Sequence, residues 1–240
     1  MSKSLKSKKM TNAIIASTST IFGGEYLEYL LPELEKLFAK ATTILFIPFA
    51  RPSGISHDEY TEKVKYAFDK INKKVVGLHE FDDFSEAILS AEAIFVGGGN
   101  TFLLVKQLHD NNLMTILSNV IKSGIPYLGC SAGSNITGIS MQTTNDMPIV
   151  YPSSFETLGI IPFNLNPHYL DSDINSTHKG ETRETRIKEF HSFNEIPVIG
   201  LREGSWLEVF GDKIILKGKL SARFFEQNRK PVELQSGYEF

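Results

Sequence analysis

Short apolar runs that alternate with longer amphipathic stretches are the feature of this 240-residue chain that most constrains its fold. Each run is continuously apolar, which is typical of strands buried on both faces of a parallel sheet. The intervening stretches carry apolar side chains at helical spacing, as Tyr60, Val64, Phe68 and Ile71 do. This order of elements predicts an α/β fold, with a mostly parallel sheet and helices on both faces.

The pattern is clearest over the first half of the chain. Strands are predicted at residues 12–17, 43–49, 74–79, 93–96 and 126–129. Helices are predicted at residues 25–40, 57–73, 84–90, 102–108 and 114–122. Later residues give one helix at 180–193, one strand at 197–201 and a C-terminal hairpin at 206–216. With no internal repeat or linker, we expect a disordered tail at residues 1–10 and a single α/β domain at 11–240.

Composition limits the kinds of partner and the cellular compartment that we expect for this chain. A net charge of −3 without a basic stripe offers no electrostatic footprint for nucleic acid. No apolar run approaches the roughly 18 residues that span a bilayer. The single cysteine, Cys130, cannot form an internal disulfide and fits a reducing compartment. We therefore expect a cytoplasmic protein without nucleic-acid or membrane partners, either a monomer or a homodimer.

A glycine-flanked serine stands at the end of the fifth predicted strand. Residues 129–133 read Gly-Cys-Ser-Ala-Gly, which matches the nucleophile elbow, a sharp strand-to-helix turn that presents a serine hydroxyl at the top of a sheet. The pattern predicts a serine hydrolase with Ser131 as its nucleophile. Cys130 is a rival nucleophile, but it lies one residue from the apex and is expected to be a buried structural side chain.

A serine nucleophile needs donors for the developing oxyanion and a general base. The backbone N–H of Ala132, at the helix start, is one candidate donor. The glycine run at residues 97–99 ends the fourth strand and offers a second donor, assigned to Gly99, because glycine lets the backbone approach a substrate closely. For the base, a position in a loop after the nucleophile favours His168, and His178 is the next candidate.

Five blocks follow one another along the chain: residues 97–101 (GGGNT), 129–133 (GCSAG), 143–148 (TTNDMP), 166–168 (NPH) and 178–183 (HKGETR). In combination they resemble peptidase E, the aspartyl dipeptidase family, and more distantly the cyanophycinases. The resemblance implies a class I glutamine amidotransferase-like (flavodoxin-like) sheet, with serine in place of cysteine. It also implies removal of an N-terminal aspartate from Asp-X dipeptides, without metal or cofactor.

The same resemblance assigns roles to single residues. Ser131 matches the nucleophile and His168 the general base. Glu203, at the end of a late strand, matches the acid that orients the histidine, and Asp146 is the alternative third member. Arg183 matches the cation of the substrate pocket, since a guanidinium can hold a carboxylate through two parallel hydrogen bonds.

Other interpretations stay open. By residue pattern alone, Glu203 is an ordinary surface carboxylate, and Arg183 belongs to a charged run that is typical of a solvated helix face. The enzyme could instead be a cyanophycinase-like hydrolase that cuts another acidic or isopeptide substrate. A catalytically silent binding protein on the same fold is the third possibility, and intact Ser131, His168 and Glu203 argue against it.

Overall fold

Two β-sheets and seven α-helices form the frame in a computed structural model, which describes residues 10–172 and 180–240. Residues 1–9 of the expected tail and the candidate base His178 lie outside the described residues. The strands are β1 (Asn12–Ala16), β2 (Thr43–Ile47), β3 (Lys74–Gly77), β4 (Ile94–Val96), β5 (Tyr127–Cys130), β6 (Asn164–Pro167), β7 (Val198–Leu201), β8 (Ser205–Phe210), β9 (Lys213–Gly218), β10 (Ala222–Phe225) and β11 (Val232–Leu234). The helices are α1 (Leu31–Leu37), α2 (His57–Asp69), α3 (Phe84–Leu89), α4 (Thr101–Asp110), α5 (Met114–Lys122), α6 (Ala132–Asn135) and α7 (Arg183–Phe190), with short 3-10 helices at Glu28–Leu30 and Leu78–Glu80.

The larger sheet has seven strands in the order β3-β2-β4-β5-β1-β8-β9. Its first five strands run parallel, whereas β8 is antiparallel to β1 and β9 is antiparallel to β8. The predicted mostly parallel sheet is therefore confirmed. The predicted C-terminal hairpin is present as β8 and β9, and it extends this sheet rather than standing apart from it.

Strand β1 shows why helices cover both faces of this sheet. Ile14 and Ala16 belong to an apolar cluster shared with α1 and α2. Ala13 and Ile15 point to the other face, where the cluster includes residues of α4 and α5. All four side chains are at most 3% exposed. A strand that is apolar on both sides requires a helical layer against each face.

The second sheet has four strands in the order β11-β10-β7-β6, with β6 and β7 parallel. The sequence pattern did not predict this sheet, because β6 reads Asn-Leu-Asn-Pro and resembles a loop. Its polar side chains are buried and paired instead. The Asn164 amide oxygen accepts the N–H groups of Ile139 and Ser140, and the Asn166 amide donates to the Thr143 carbonyl. Hydrogen bonds thus replace the apolar side chains by which a buried strand is usually recognised.

Two of the predicted helices that are shorter than expected have a clear local cause or cap. The stretch at residues 25–40 divides because Leu27 has a left-handed backbone (φ 60°), and α1 starts afresh with Pro32 in its first turn. Proline suits that position, since the first-turn N–H has no intrahelical partner. The helix predicted at residues 180–193 is α7, capped by the Thr182 hydroxyl. Within the two described ranges, no helix is long and apolar enough to cross a membrane.

Candidate active site

Ser131 occupies a strained turn between β5 and α6. Its backbone has φ 54° and ψ −109°, a region that non-glycine residues rarely adopt. A Cβ on Gly129 would lie 2.5 Å from the Gly133 carbonyl oxygen, and one on Gly133 would lie 2.1 Å from the Val96 oxygen. Both distances are far below van der Waals contact, so glycine is required on each side of the serine. The predicted elbow geometry is present.

A chain of hydrogen bonds connects the serine to a histidine and an acid. His168 Nε2 lies 2.8 Å from Ser131 Oγ, and His168 Nδ1 lies 2.7 Å from Glu203 Oε1. With the proton on Nδ1, that nitrogen donates to the carboxylate and Nε2 accepts from the serine hydroxyl. His168 is half-buried and Glu203 is exposed. The arrangement can draw a proton from the serine and hold the resulting imidazolium.

Ser17 fixes the backbone of this histidine. It follows β1 directly, and its fully buried hydroxyl accepts the His168 backbone N–H at 2.9 Å and donates to the Leu201 carbonyl at 2.7 Å. His168 itself has a positive φ of 54°, which costs energy in a non-glycine residue. One hydroxyl therefore holds the end of β6, which carries His168, against the end of β7, which leads to Glu203.

The glycine loop after β4 lies against the serine. A Cβ on Gly98 would be 3.0 Å from Ser131 Cβ, so the loop backbone contacts the nucleophile directly. Gly99 has φ +149°, and a Cβ there would meet the Ala50 carbonyl oxygen at 2.2 Å. Among the residues that the structure describes, the N–H groups of Gly99 and Ala132 have no hydrogen-bond acceptor. No described residue therefore engages either N–H, as the predicted role of oxyanion donor requires.

Asp146, the alternative third member, is hydrogen-bonded to other residues and not to the His168 ring. Its Oδ2 accepts the Thr101 N–H at 2.7 Å and the Thr101 hydroxyl at 2.6 Å. Asp146 also acts on the substrate-pocket candidate Arg183. Burial lowers the pKa of Arg183, neighbouring Arg186 lowers it further, and Asp146 opposes both. The structure therefore brings Glu203 to the histidine, whereas Asp146 is hydrogen-bonded to the start of α4, directly after the glycine loop.

Cys130 is fully buried in the cluster beneath α1 and α2, and burial raises the pKa of its thiol. A thiol that stays protonated and unexposed is a poor nucleophile. The expected structural role of Cys130 agrees with this position. In the described ranges, no group of three or more His, Cys, Asp or Glu side chains is placed to hold a metal ion.

Two residues near the site were missed from the sequence. Ser17 directly follows β1 at the same edge as Ser131, and the rule that functional groups gather at the carboxyl ends of parallel strands would have found it. Tyr60 was recognised only as part of an apolar helix face. Its buried hydroxyl contacts the Gly98 backbone, and the signal available was that a buried tyrosine hydroxyl needs a polar partner.

The site combines a serine in a strained turn at the end of a strand, a histidine hydrogen-bonded to it, and a carboxylate hydrogen-bonded to that histidine. On an α/β sheet, this arrangement defines the serine hydrolase class. The comparisons with known proteins specify the family. The sequence model of peptidase family S51 matches residues 13–217. Peptidase E of Streptomyces coelicolor is 46% identical over 226 residues, covering 94% of this chain and 92% of that protein. A Drosophila melanogaster protein named probable alpha-aspartyl dipeptidase is 45% identical over 226 residues, covering 93% of each.

A solved structure gives the same result for the fold. The crystal structure of a peptidase from an acI-B1 actinobacterium superposes with a TM-score of 0.71 at 19% identity, covering 97% of this chain and 98% of that one. The chain belongs to peptidase family S51 and is a serine-type peptidase. The family resemblance predicted from the five sequence blocks is confirmed.

Proposed function

We propose that this chain hydrolyses Asp-X dipeptides through an acyl-enzyme formed on Ser131. The observation that carries the proposal is the unbroken pair of hydrogen bonds from Ser131 Oγ through the His168 ring to Glu203. Relatives named peptidase E and alpha-aspartyl dipeptidase, at 46% and 45% identity, support the substrate class.

In the proposed reaction, Ser131 Oγ attacks the carbonyl carbon of the aspartyl residue while His168 Nε2 takes its proton. The oxyanion accepts hydrogen bonds from the N–H groups of Gly99 and Ala132. His168 then donates the proton to the leaving nitrogen, the C–N bond breaks, and an ester to Ser131 remains. Water attacks this ester with the same histidine as base, and free aspartate is released. Glu203 orients the ring throughout, and no step uses a metal or cofactor.

Arg183 is proposed to bind the side-chain carboxylate of the substrate. Its guanidinium is partly buried at the start of α7, and within the described residues it makes no salt bridge. Burial that lowers the pKa of Arg183 disfavours its charged form, so a carboxylate ligand would relieve that cost. A bidentate pair of this kind selects aspartate over asparagine, because the amide cannot replace both charged acceptors.

The remaining expectations belong to the same proposal. The substrate is a small acidic dipeptide, the enzyme works in the cytoplasm as a monomer or homodimer, and it has no nucleic-acid or membrane partner. The single cysteine is free and buried, which suits a reducing compartment.

A dipeptide panel tests the proposal. The parent should hydrolyse Asp-X at least about 10²-fold better than Asn-X in kcat/KM, a difference of about 2.7 kcal/mol, and Glu-X should also be poor. Ser131→Ala should lose on the order of 10⁴-fold or more. Arg183→Met should lose Asp-X hydrolysis while its serine still reacts with a fluorophosphonate.

Lys188→Met is the matched control, because Lys188 is exposed on the same helix and should leave Asp-X hydrolysis unchanged. Parental Asp-X activity in Arg183→Met would remove Arg183 from the substrate pocket. A parent that prefers other acidic or isopeptide substrates would favour the cyanophycinase-like alternative. A parent with no hydrolytic activity and no fluorophosphonate labelling would favour a silent binding protein.

A further inference from the structure

Tyr60 places a buried hydroxyl under the glycine loop. The side chain projects from α2, is fully buried, and contacts the glycine loop at residues 97–99 from inside the protein. The Gly98 N–H donates to Tyr60 Oη at 3.0 Å, and the Tyr60 hydroxyl donates to the Gly98 carbonyl at 3.3 Å. One hydroxyl thus holds both polar groups of a single glycine.

The tyrosine ring is itself held in place. Phe46 packs edge-on against it with ring centroids 4.9 Å apart, and the Arg51 guanidinium lies 4.7 Å from the ring centroid. Tyr26 donates a long hydrogen bond of 3.4 Å to Tyr60 Oη. These contacts leave the Tyr60 hydroxyl little freedom to follow a moving loop, so the loop must adapt to the hydroxyl.

Successive N–H groups of the loop divide into anchors and one free donor. The Gly97 N–H donates to the Ile47 carbonyl at 3.3 Å, the Gly98 N–H donates to Tyr60, and the Asn100 N–H donates to the Ala50 carbonyl at 2.7 Å. Within residues 10–172 and 180–240, the Gly99 N–H has no acceptor. The loop is therefore fastened on both sides of the Gly99 N–H.

The Tyr60 bond also determines where that N–H points. The carbonyl of Gly98 and the N–H of Gly99 belong to one peptide unit, and in a trans peptide the two groups point in opposite directions. Because Tyr60 holds the carbonyl on its own side, the Gly99 N–H is directed away from Tyr60. Gly98 also contacts Ser131, because a Cβ added to this glycine would lie 3.0 Å from the serine Cβ.

We infer that Tyr60 is a positioning residue, which aims the Gly99 N–H at the oxyanion formed during attack by Ser131. This inference rests on the proposed function, in which Gly99 is an oxyanion donor. Tyr60 touches neither the substrate nor the serine, so its loss should weaken stabilisation of the transition state while leaving binding of the substrate ground state intact.

Tyr60→Phe tests this inference, with Tyr66→Phe as the matched control, which removes an exposed phenol hydroxyl from the same helix and leaves both bonds to Gly98. Rates are expressed per active site titrated with a fluorophosphonate, so that unfolded enzyme does not count. Tyr60→Phe should lower kcat for Asp-X by about 10- to 100-fold, less than or comparable to deleting an oxyanion donor outright. The KM of Tyr60→Phe and the kcat of Tyr66→Phe should stay within about threefold of the parent.

A second readout separates positioning from a merely structural role. The aldehyde analogue of aspartate forms a tetrahedral adduct with a serine, whereas the corresponding alcohol does not. Tyr60→Phe should weaken the binding of the aldehyde by the same factor as it lowers kcat/KM, and it should leave the binding of the alcohol unchanged. Equal aldehyde affinity in Tyr60→Phe and the parent, or a kcat within threefold of the parent, would overturn the inference.

Gly97→Ala keeps the test decisive if Tyr60→Phe does not fold. A Cβ on Gly97 would lie 2.6 Å from Tyr60 Oη, so this variant displaces the hydroxyl without removing it, and kcat should again fall with little change in KM. An unchanged kcat in Gly97→Ala would contradict the inference. A parent that does not hydrolyse Asp-X would defeat the proposed function itself, whereas an active parent with an equally active Tyr60→Phe would defeat only the role of Tyr60.

Discussion

Replacing Ser17 with alanine removes the hydroxyl that joins the ends of three strands. The Leu201 carbonyl would keep a second donor, the Tyr169 N–H at 3.1 Å. The His168 N–H has no such substitute in the described part of the chain, and it would be left without an acceptor where the buried Ser17 hydroxyl now lies. The variant should therefore lose one ordinary hydrogen bond and leave one N–H donor unpaired.

These two losses set the expected magnitude. A net hydrogen bond contributes about 1 kcal/mol, and leaving a buried donor unpaired costs about 1–3 kcal/mol, so Ser17→Ala should lower the free energy of unfolding by about 2–4 kcal/mol. His168 should also relax from its left-handed backbone and shift its ring from Ser131. Because a shift of about 1 Å can cost on the order of 10²-fold in rate, kcat should fall by about 10- to 100-fold.

Urea denaturation followed by linear extrapolation measures the first quantity, and steady-state hydrolysis of Asp-X measures the second. Ser118→Ala is the control, because Ser118 donates a single 2.7 Å bond to the Leu158 carbonyl far from the strand ends that carry the site. Ser118→Ala should lower the free energy of unfolding by about 1 kcal/mol and leave the activity unchanged. If Ser17→Ala behaved like Ser118→Ala in both measurements, the account of how His168 is held would be refuted.

Three further outcomes are expected. Cys130→Ala should remain active, with a stability loss of about 1 kcal/mol from the cavity, and a folded but inactive protein would indicate a thiol mechanism. Glu203→Gln should lower kcat by roughly 10- to 1,000-fold, whereas Asp146→Asn should chiefly raise KM for Asp-X; a larger kcat loss in Asp146→Asn would make Asp146 the third member. The hydrogen bond from Arg202 holds the pKa of Asp171 below its usual value, so this stabilisation is complete above the ordinary aspartate range and is lost as the pH falls. The free energy of unfolding should then drop less steeply between about pH 5 and about pH 3 in Arg202→Met than in the parent, and equal slopes in acid denaturation would contradict the assignment.

The larger sheet and the serine turn could be predicted from the sequence because local patterns specify them. Continuous apolar runs identify parallel strands, and the glycines beside Ser131 are required by contacts within the turn itself. The same holds for the glycine loop, where Gly99 has a backbone conformation that other residues rarely adopt. When a residue's role depends on contacts with residues close to it in sequence, the residue type is enough to predict that role.

The acid partner could not be found in this way. Glu203 lies 35 residues from His168 along the chain, and the pairing of β6 with β7, which matches Pro167 to Leu201, brings them together. Strand β6 is polar and ends in proline, so hydropathy does not reveal that pairing, and only the family resemblance identified the acid. The partner of the Tyr60 hydroxyl was equally hidden, because the helical pattern shows that the side chain is buried but not what it meets.

The groups that form the site belong to two different sheets. Ser131 directly follows β5 of the seven-stranded sheet, whereas His168 and Glu203 follow β6 and β7 of the four-stranded one. Mild denaturation that loosened the contact between these sheets would separate nucleophile from base while every helix and strand persisted. Enzymatic activity should thus vanish before circular dichroism changes, and during refolding it should return last, when the two sheets dock.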